Sequence, residues 1–472
     1  MSVAELMAPT HRPAATEQSL SGWGRAKHSR CRVIRAESVE QVLDVLGSSD
    51  GVIARGAARS YGDAAQNDGG EVLDMTGLDR VLWIDAERGL VAAQAGATIA
   101  QLMARLAAHG LTLPVVPGTR HVTLAGAVAS DIHGKNHHRD GAFAKHVVSL
   151  SLCTPAHGLM ELTPDSDPEL FYATLGGMGL TGVLVAATLR ADRLDSPWVR
   201  EDLDRTDGLE QTLALMGAAE QHRYSVAWLD LLAKGSKLGR AVVSRADPLP
   251  GGAPTPQARG RRAAAGTYPG ALSRRPLAEI PARFPGALLR PPSVQAFNAL
   301  RWRTNPRRER GRPLAMAPYF FPLDVLGSWN RLYGAGGLIQ YQFVIPSGQE
   351  TALERCFELI ARRRLPVYLA VFKRFGAAFG GPLSFPLEGW TLAIDMPAAV
   401  HGLEGALREL DELVAGCGGR VYLTKDVRLG ADTLHAMYPQ LDRFEQVRAR
   451  VDPAGVMRSD LGRRLRLCGG QL

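Results

Sequence analysis

The sequence predicts an α+β fold, on three observations. Short strand-like runs and short amphipathic helices are mixed without the regular strand–helix alternation of a doubly wound sheet. Glycine-bracketed turns crowd the first 190 of the 472 residues. Near Trp198 the texture changes to longer strand-like pieces, as if a second unit were inserted. At about 150 residues per domain, the length accommodates two or three domains.

Residues 1–22 read as a flexible tail, with order beginning at Gly22-Trp23-Gly24-Arg25. A short strand at 32–35 precedes Ser38-Val39-Glu40-Gln41, which fits a capping box. Val39, Val42, Leu43 and Leu46 then give a one-faced helix. Strands are expected at 51–54, 72–75, 81–84 and 90–94. Thr98 and Gln101 form a second capping box, with Ile99, Leu102, Met103 and Leu106 as its apolar stripe and Gly110 as C-cap. Residues 147–154 and 182–189 are good strands. Beyond Trp198, strands at 224–229, 338–345, 367–373 and 391–396 alternate with helices at 350–364 and 402–414. The Pro/Gly/Arg-rich region near 248–313 reads as mobile loops, and 419–459 returns to a compact style.

Composition excludes a disordered chain and a disulfide-built miniprotein: 46% of residues are hydrophobic and 22% charged. The five cysteines form no C-x-x-C pair, so neither a disulfide framework nor a zinc site is expected. The first 20 residues lack a basic segment followed by an apolar one, so no signal peptide is expected, and no apolar run is long enough to span a membrane. Net charge is +8, but residues 257–312 alone hold 13 Arg against Glu279 and Glu309. A basic insert of +11 on a body of −3 points to a local contact with anionic lipid or phosphate, and not to nucleic acid. The bland alternative is a solvated loop.

Four segments carry candidate chemistry. In Arg55-Gly56-Ala57-Ala58-Arg59-Ser60-Tyr61-Gly62-Asp63, small residues let backbone N–H groups approach a phosphate. It is neither the dinucleotide fingerprint nor a Walker loop. Between Leu124 and Ser130 the side chains are small, which suits close packing on a flat ligand or a tight helix contact. His133, His137 and His138 lie in Asp131-Ile132-His133-Gly134-Lys135-Asn136-His137-His138, where Gly134 and Asn136 oppose a zinc-binding helix; no metal is expected. Lys425-Asp426 is either a surface ion pair or a buried lysine with a lowered pKa that orients or deprotonates a hydroxyl.

Together with Pro117-Gly118-Thr119 and Gly176-Gly177-Met178-Gly179-Leu180-Thr181-Gly182-Val183, these segments resemble the flavin-binding domain of the vanillyl-alcohol-oxidase (p-cresol methylhydroxylase) superfamily. The His133 motif, Ala54-Arg55-Gly56, Gln340-Tyr341-Gln342-Phe343-Val344-Ile345-Pro346 and Leu383-Ser384-Phe385-Pro386 narrow the resemblance to the decaprenylphosphoryl-β-D-ribose 2′-oxidase family. It covers about residues 22–465.

The resemblance implies a two-part FAD-binding domain (23–197 and 419–472) with an inserted α+β substrate domain (198–418) built on an antiparallel sheet. It implies FAD held by Ala54 through Ala64 (Ala54, Arg55, Gly56, Ala57, Ala58, Arg59, Ser60, Tyr61, Gly62, Asp63 and Ala64), by Gly118, by Thr123, Leu124, Ala125 and Gly126, by Ser130, Asp131, Ile132 and His133, and by Val185 and Tyr422. Arg59 stands where superfamily members often carry a flavin-linking His, so the FAD is expected to be noncovalent. Lys135, Gln340, Gln342 and Lys373 match positions lining the sugar and phosphate side, with Tyr61, Trp228 and Asp395 near it. The implied reaction is oxidation of a polyprenylphosphoryl ribose at its C2′ hydroxyl, by hydride transfer to flavin N5, as the first half of an epimerisation. Lys425 is the first candidate base and His133 its rival. A membrane surface and a nicotinamide-dependent keto-sugar reductase are the implied partners. A soluble sugar, alditol or aldonolactone oxidase of the same superfamily is the alternative.

Two departures matter. Ala58 replaces a glycine of the first turn, which requires a negative φ there. Ala393 stands where mycobacterial relatives carry the cysteine attacked by nitroaromatic suicide inhibitors, so covalent trapping is expected to fail.

Overall fold

A computed structural model describes residues 13–253 and 276–468. The chain opens on a four-stranded sheet, in the spatial order Thr16–Ser21, His28–Arg35, Glu71–Asp74, Val52–Arg55. The outer pair is antiparallel and the others parallel. Thr16–Ser21 pairs along its whole length with His28–Arg35. The tail expected through residue 22 therefore fails for these six residues, whose backbone hydrogen bonds offset their exposed, polar side chains.

A five-stranded antiparallel sheet follows, ordered Val81–Asp85, Leu90–Gln94, Val183–Arg190, Val147–Thr154, Gly158–Leu162. Both predicted caps form. Thr98 and Gln101 close a full capping box on the helix Ile99–Ala107. Ser38 caps Val39–Ser48, but Gln41 reaches back to the Glu37 N–H instead of Ser38. The helix at 99 ends at Ala107, so Gly110, with φ of 67°, closes the following turn and is not the C-cap.

The inserted unit is an eight-stranded, antiparallel sheet. Its order is Arg308–Ala315, Trp198–Thr206, Ala241–Pro248, Tyr224–Leu229, Leu369–Phe375, Gly389–Pro397, Leu338–Pro346, Arg420–Val421. The helices Glu350–Arg362 and Leu403–Gly416 pack on one another and on Leu338–Pro346. The expectation of mobile loops across 248–313 holds no general validity. Pro291–Thr304 is a helix and Arg308–Ala315 is an edge strand whose Arg312 pairs with Glu201 and Arg310 with Asp204. Charge pairing on the sheet gives these arginines an ordered place that composition alone does not reveal. Residues 254–275, where that reading also fell, lie outside the described residues.

The C-terminal segment crosses both units. Arg420–Val421 completes the eight-stranded sheet, and Met457 then bridges Val52 on the first sheet. Arg464 pairs with Asp63 and Asp426, each at 2.8 Å, which binds the returning segment to the turn after Val52–Arg55.

Candidate active site

Val52–Arg55 runs directly into the turn 56–63, which two contacts hold open. A Cβ on Gly56 would lie 2.1 Å from Thr123 Oγ1, and one on Gly62 would lie 1.7 Å from the Asp426 carbonyl oxygen. Both positions therefore need glycine for close approach. Ala58 has φ of +55°, against the negative value its side chain favours. The turn imposes a left-handed residue there, at a cost of about 1–2 kcal/mol. Thr123 also accepts from Gly126 N and so caps the small-residue helix Leu124–Ala129.

These elements form one wall of a large cleft, about 1820 Å³ of empty space out to its open mouth. Residues 54–61, Ala64, Gly118, Thr123, Ala125, Gly126, Ser130, Ile132 and His133 all lie on it. A Cβ built on Gly118 would meet nothing within 4 Å. Two buried nitrogens of the wall, Arg59 Nε and His133 Nδ1, have no hydrogen-bond partner among the described residues. An open, backbone-rich trough with unpaired donors fits a large polar cofactor such as FAD.

The opposite wall is the inserted sheet. Gln340 and Gln342 are two apart on one strand, so both face the cleft. Gln342 lies opposite Ala393, which in turn lies opposite Val371. Lys373 continues that face, while Tyr422 and Lys425 come from the returning segment. Gln342 Nε2 donates to His133 Nε2 at 2.9 Å and to Thr391 Oγ1 at 3.2 Å. The His133 ring is packed among Phe375, Tyr422 and Phe385. Burial, with Lys373, His137 and Lys425 nearby, holds His133 well below its usual pKa, so it is neutral. Burial also lowers Lys373 to about 7, with Lys425 and Lys135 adding repulsion. It lowers Lys425 to about 8, where Asp395 opposes the shift. Among the described residues neither Lys373 nor Lys425 has a carboxylate within ion-pair distance.

Several anticipated residues stand behind the walls. Gly62 and Asp63 anchor the returning segment. Leu124 and Val185 are core; the Val185 carbonyl accepts from Ala95 N. Asp131 is buried, accepting from Ala144 N and the Ser384 hydroxyl, and burial raises its pKa to about 7. Lys135 donates to the Tyr319 carbonyl at 2.5 Å and lies 4.0 Å from that ring's centroid. Trp228 lies under Arg301, and Asp395 sits behind Gln340. The histidines tested as metal ligands diverge: His137 accepts from Gly376 N, and His138 contacts the His222 carbonyl.

Sequence reasoning missed Trp23, Trp329, Leu323 and Val371, which all line the cleft. Trp23 carries the Arg59 guanidinium 4.1 Å from its ring centroid and meets Trp329 edge-on. The aromatic between two glycines at 22–24 was a local signal; Trp329 and Leu323 had none.

Comparison with known proteins agrees with this geometry. A model described as an FAD binding domain matches residues 32–163, and a D-arabinono-1,4-lactone oxidase model matches residues 397–465. Decaprenylphosphoryl-beta-D-ribose oxidase of Mycolicibacterium smegmatis is 39% identical, covering 98% of this chain and 100% of that one. An uncharacterized protein in the mprA 5′ region of Streptomyces coelicolor is also 39% identical, over 76% of this chain and 96% of its own. L-gulono-1,4-lactone dehydrogenase of Mycobacterium tuberculosis is 26% identical, over 92% and 95%. The fold is of the vanillyl-alcohol-oxidase type and its cofactor is FAD. With full-length identity at that level, the chain belongs to the decaprenylphosphoryl-β-D-ribose oxidase family of FAD-dependent oxidoreductases.

Proposed function

We propose that this enzyme oxidises the C2′ hydroxyl of decaprenylphosphoryl-β-D-ribose to the ketone, with noncovalent FAD, residues 23–197 and 419–472 as cofactor unit, and 198–418 as substrate unit. The observation that carries this reading is the pair of partly buried lysines, Lys373 and Lys425, facing the cofactor trough without carboxylate partners. Lys373 in its charged form suits the phosphate of a phosphate-bearing sugar, and Lys425 in its neutral form is left to accept a proton. Bound FAD supplies the two-electron acceptor at N5. Gln340 and Gln342 offer amides to sugar hydroxyls, and Lys425 takes the hydroxyl proton. His133 is the weaker candidate, because the Gln342 amide donates to its Nε2 and Nδ1 then carries the ring proton.

A membrane docking face is part of the proposal. Leu277, Leu288, Phe297, Leu300 and Val325 are exposed large apolar side chains within one stretch of 49 residues. Leu277 N donates to the Val325 carbonyl, and Leu323, two residues before Val325, lines the cleft. Arg283, Arg290 and Arg303 belong to the same stretch, so apolar insertion and attraction to anionic lipid act together. No described helix is long and apolar enough to cross a membrane. A nicotinamide-dependent reductase acting on the ketone is the proposed functional partner.

The test is anaerobic bleaching of bound FAD by a short-chain polyprenylphosphoryl ribose. Rapid bleaching is expected; bleaching by free aldonolactones and not by the phosphoryl sugar overturns the reading. That second outcome is the aldonolactone-oxidase alternative, which the match over residues 397–465 favours.

A further inference from the structure

Resting on Lys425 as proton acceptor, we propose that Asp395 is a positioning residue that sets the charge of Lys425, and not a contact to the sugar. Asp395 and Gln340 lie opposite one another on neighbouring strands. Gln340 Nε2 donates to Asp395 Oδ1 at 2.5 Å, while Oδ2 is buried with no partner among the described residues. The residue is 0% exposed. A carboxylate so placed is expensive to ionise. Among the described residues no cation lies within ion-pair distance of it, and Gln340, which lines the cleft, bonds to it from the cleft side.

Tyr61 neighbours both Gln340 and Asp395. Lys425 Nζ lies 3.9 Å from the centroid of the Tyr61 ring. Asp395, Gln340, Tyr61 and Lys425 therefore form one row, running from the buried carboxylate out to the cleft. The groups facing Lys425 are otherwise neutral or cationic: Tyr61, His133 and Lys373. Those facing Asp395 are Tyr61 and Tyr333, both held neutral by burial. Asp395 is the anion that opposes neutralisation of Lys425, and its own pKa is raised to about 7 by burial, with Gln340 and Lys425 pulling it down.

The consequence is a coupled titration. When Asp395 is ionised, Lys425 holds its proton to higher pH, and fewer molecules are free to take one from the substrate. When Asp395 holds a proton, Lys425 is freed to accept. During turnover the hydroxyl proton goes to Nζ and the C2′–H electron pair leaves with the hydrogen for FAD; no proton needs to reach Asp395.

Asp395→Asn keeps an acceptor for Gln340 and removes the charge. The holoenzyme is titrated between about pH 6 and 9 by the absorbance of its bound FAD without substrate, and by anaerobic reduction with the short-chain phosphoryl ribose. The spectral step lost in Lys425→Gln marks the lysine. In Asp395→Asn this step and the acid limb of reduction are expected to move down by about one unit or more, raising the rate below neutrality. In Asp395→Asn/Lys425→Gln the pH profile is expected to match that of Lys425→Gln. An unmoved step in a variant with full FAD content overturns the proposal, as does a raised KM with an unchanged profile. If the Asn variant fails to fold, Asp395→Glu retains the charge, and a step that moves down in it overturns the proposal. A moved step without any reduction by the pentose leaves this proposal standing and overturns the substrate reading instead.

Discussion

The two walls of the cleft are built by different means. The cofactor wall is mostly backbone: the turn between the strands Val52–Arg55 and Glu71–Asp74, with Gly56 on the wall and Gly62 just behind it, where neighbours leave no room for a Cβ. The facing wall is side chains on three adjacent strands, brought together by the register of Gln340 with Asp395 and of Gln342 with Ala393. A backbone wall is sensitive to added atoms, whereas a side-chain wall is sensitive to lost charges. Each wall should therefore fail in its own way.

The largest effect is expected on the side-chain wall. Lys425→Ala should retain FAD, with its normal absorbance, and lose about 10²–10⁴-fold in flavin reduction; near-normal reduction removes Lys425 from the mechanism. On the backbone wall, Gly62→Ala places a methyl group against the Asp426 carbonyl. Overpacking of this kind costs about 1–3 kcal/mol. It should lower Tm and weaken FAD retention on dialysis, because the returning segment must move. An unchanged melting curve contradicts the described contact.

The lysines predict a pH dependence of opposite kind to a surface charge pair. Lys373 is depressed to about 7 and Lys425 to about 8. An anionic phosphoryl ligand favours the charged form of Lys373, while Lys425 stays neutral as proton acceptor, so binding near pH 8 should take up protons at Lys373 and affinity should fall as pH rises. Calorimetry in buffers of different ionisation enthalpy measures the uptake. Proton release on binding contradicts it. For the unliganded fold the sign also follows. The unfolded chain binds more protons between these values and the ordinary lysine pKa, so this contribution to stability rises with pH across that window.

Ala393 on the sheet wall, only 9% exposed, offers no thiol. Nitroaromatic suicide inhibitors should leave on dialysis, and a stable adduct contradicts this. The smallest effect is expected at Ala58. Ala58→Gly relieves a left-handed alanine, but glycine adds unfolded-state entropy, so a net gain of at most about 1 kcal/mol is expected in denaturant unfolding.

Legibility in the sequence followed the same division. The turn at 55–63 and the capped helices were readable because each depends on neighbours in sequence, whereas at 124–130 the small residues were legible but the helix Leu124–Ala129 was not. The role of Ala58 was misjudged because its φ is set by the turn as a whole. On the other wall, the resemblance to a family pointed to Gln340, Gln342, Lys373 and Lys425, but no local pattern marks Val371 or Trp329 as lining. The Arg-rich insert was read as loop because the acids that pair with it, Glu201 and Asp204, lie about a hundred residues earlier.

By itself, the sequence determined the capped helices, the glycine-dependent trough and the excess of arginine in one insert, since backbone conformation and capping respond to residues a few positions away. Only the tertiary structure decided which lysines lose their carboxylate partners, which histidine nitrogen is occupied, and that Asp395 stands behind Gln340. Those properties depend on burial and strand register, which bring together groups 50 to 300 positions apart, and charge in a low-dielectric interior is governed by what is near in space.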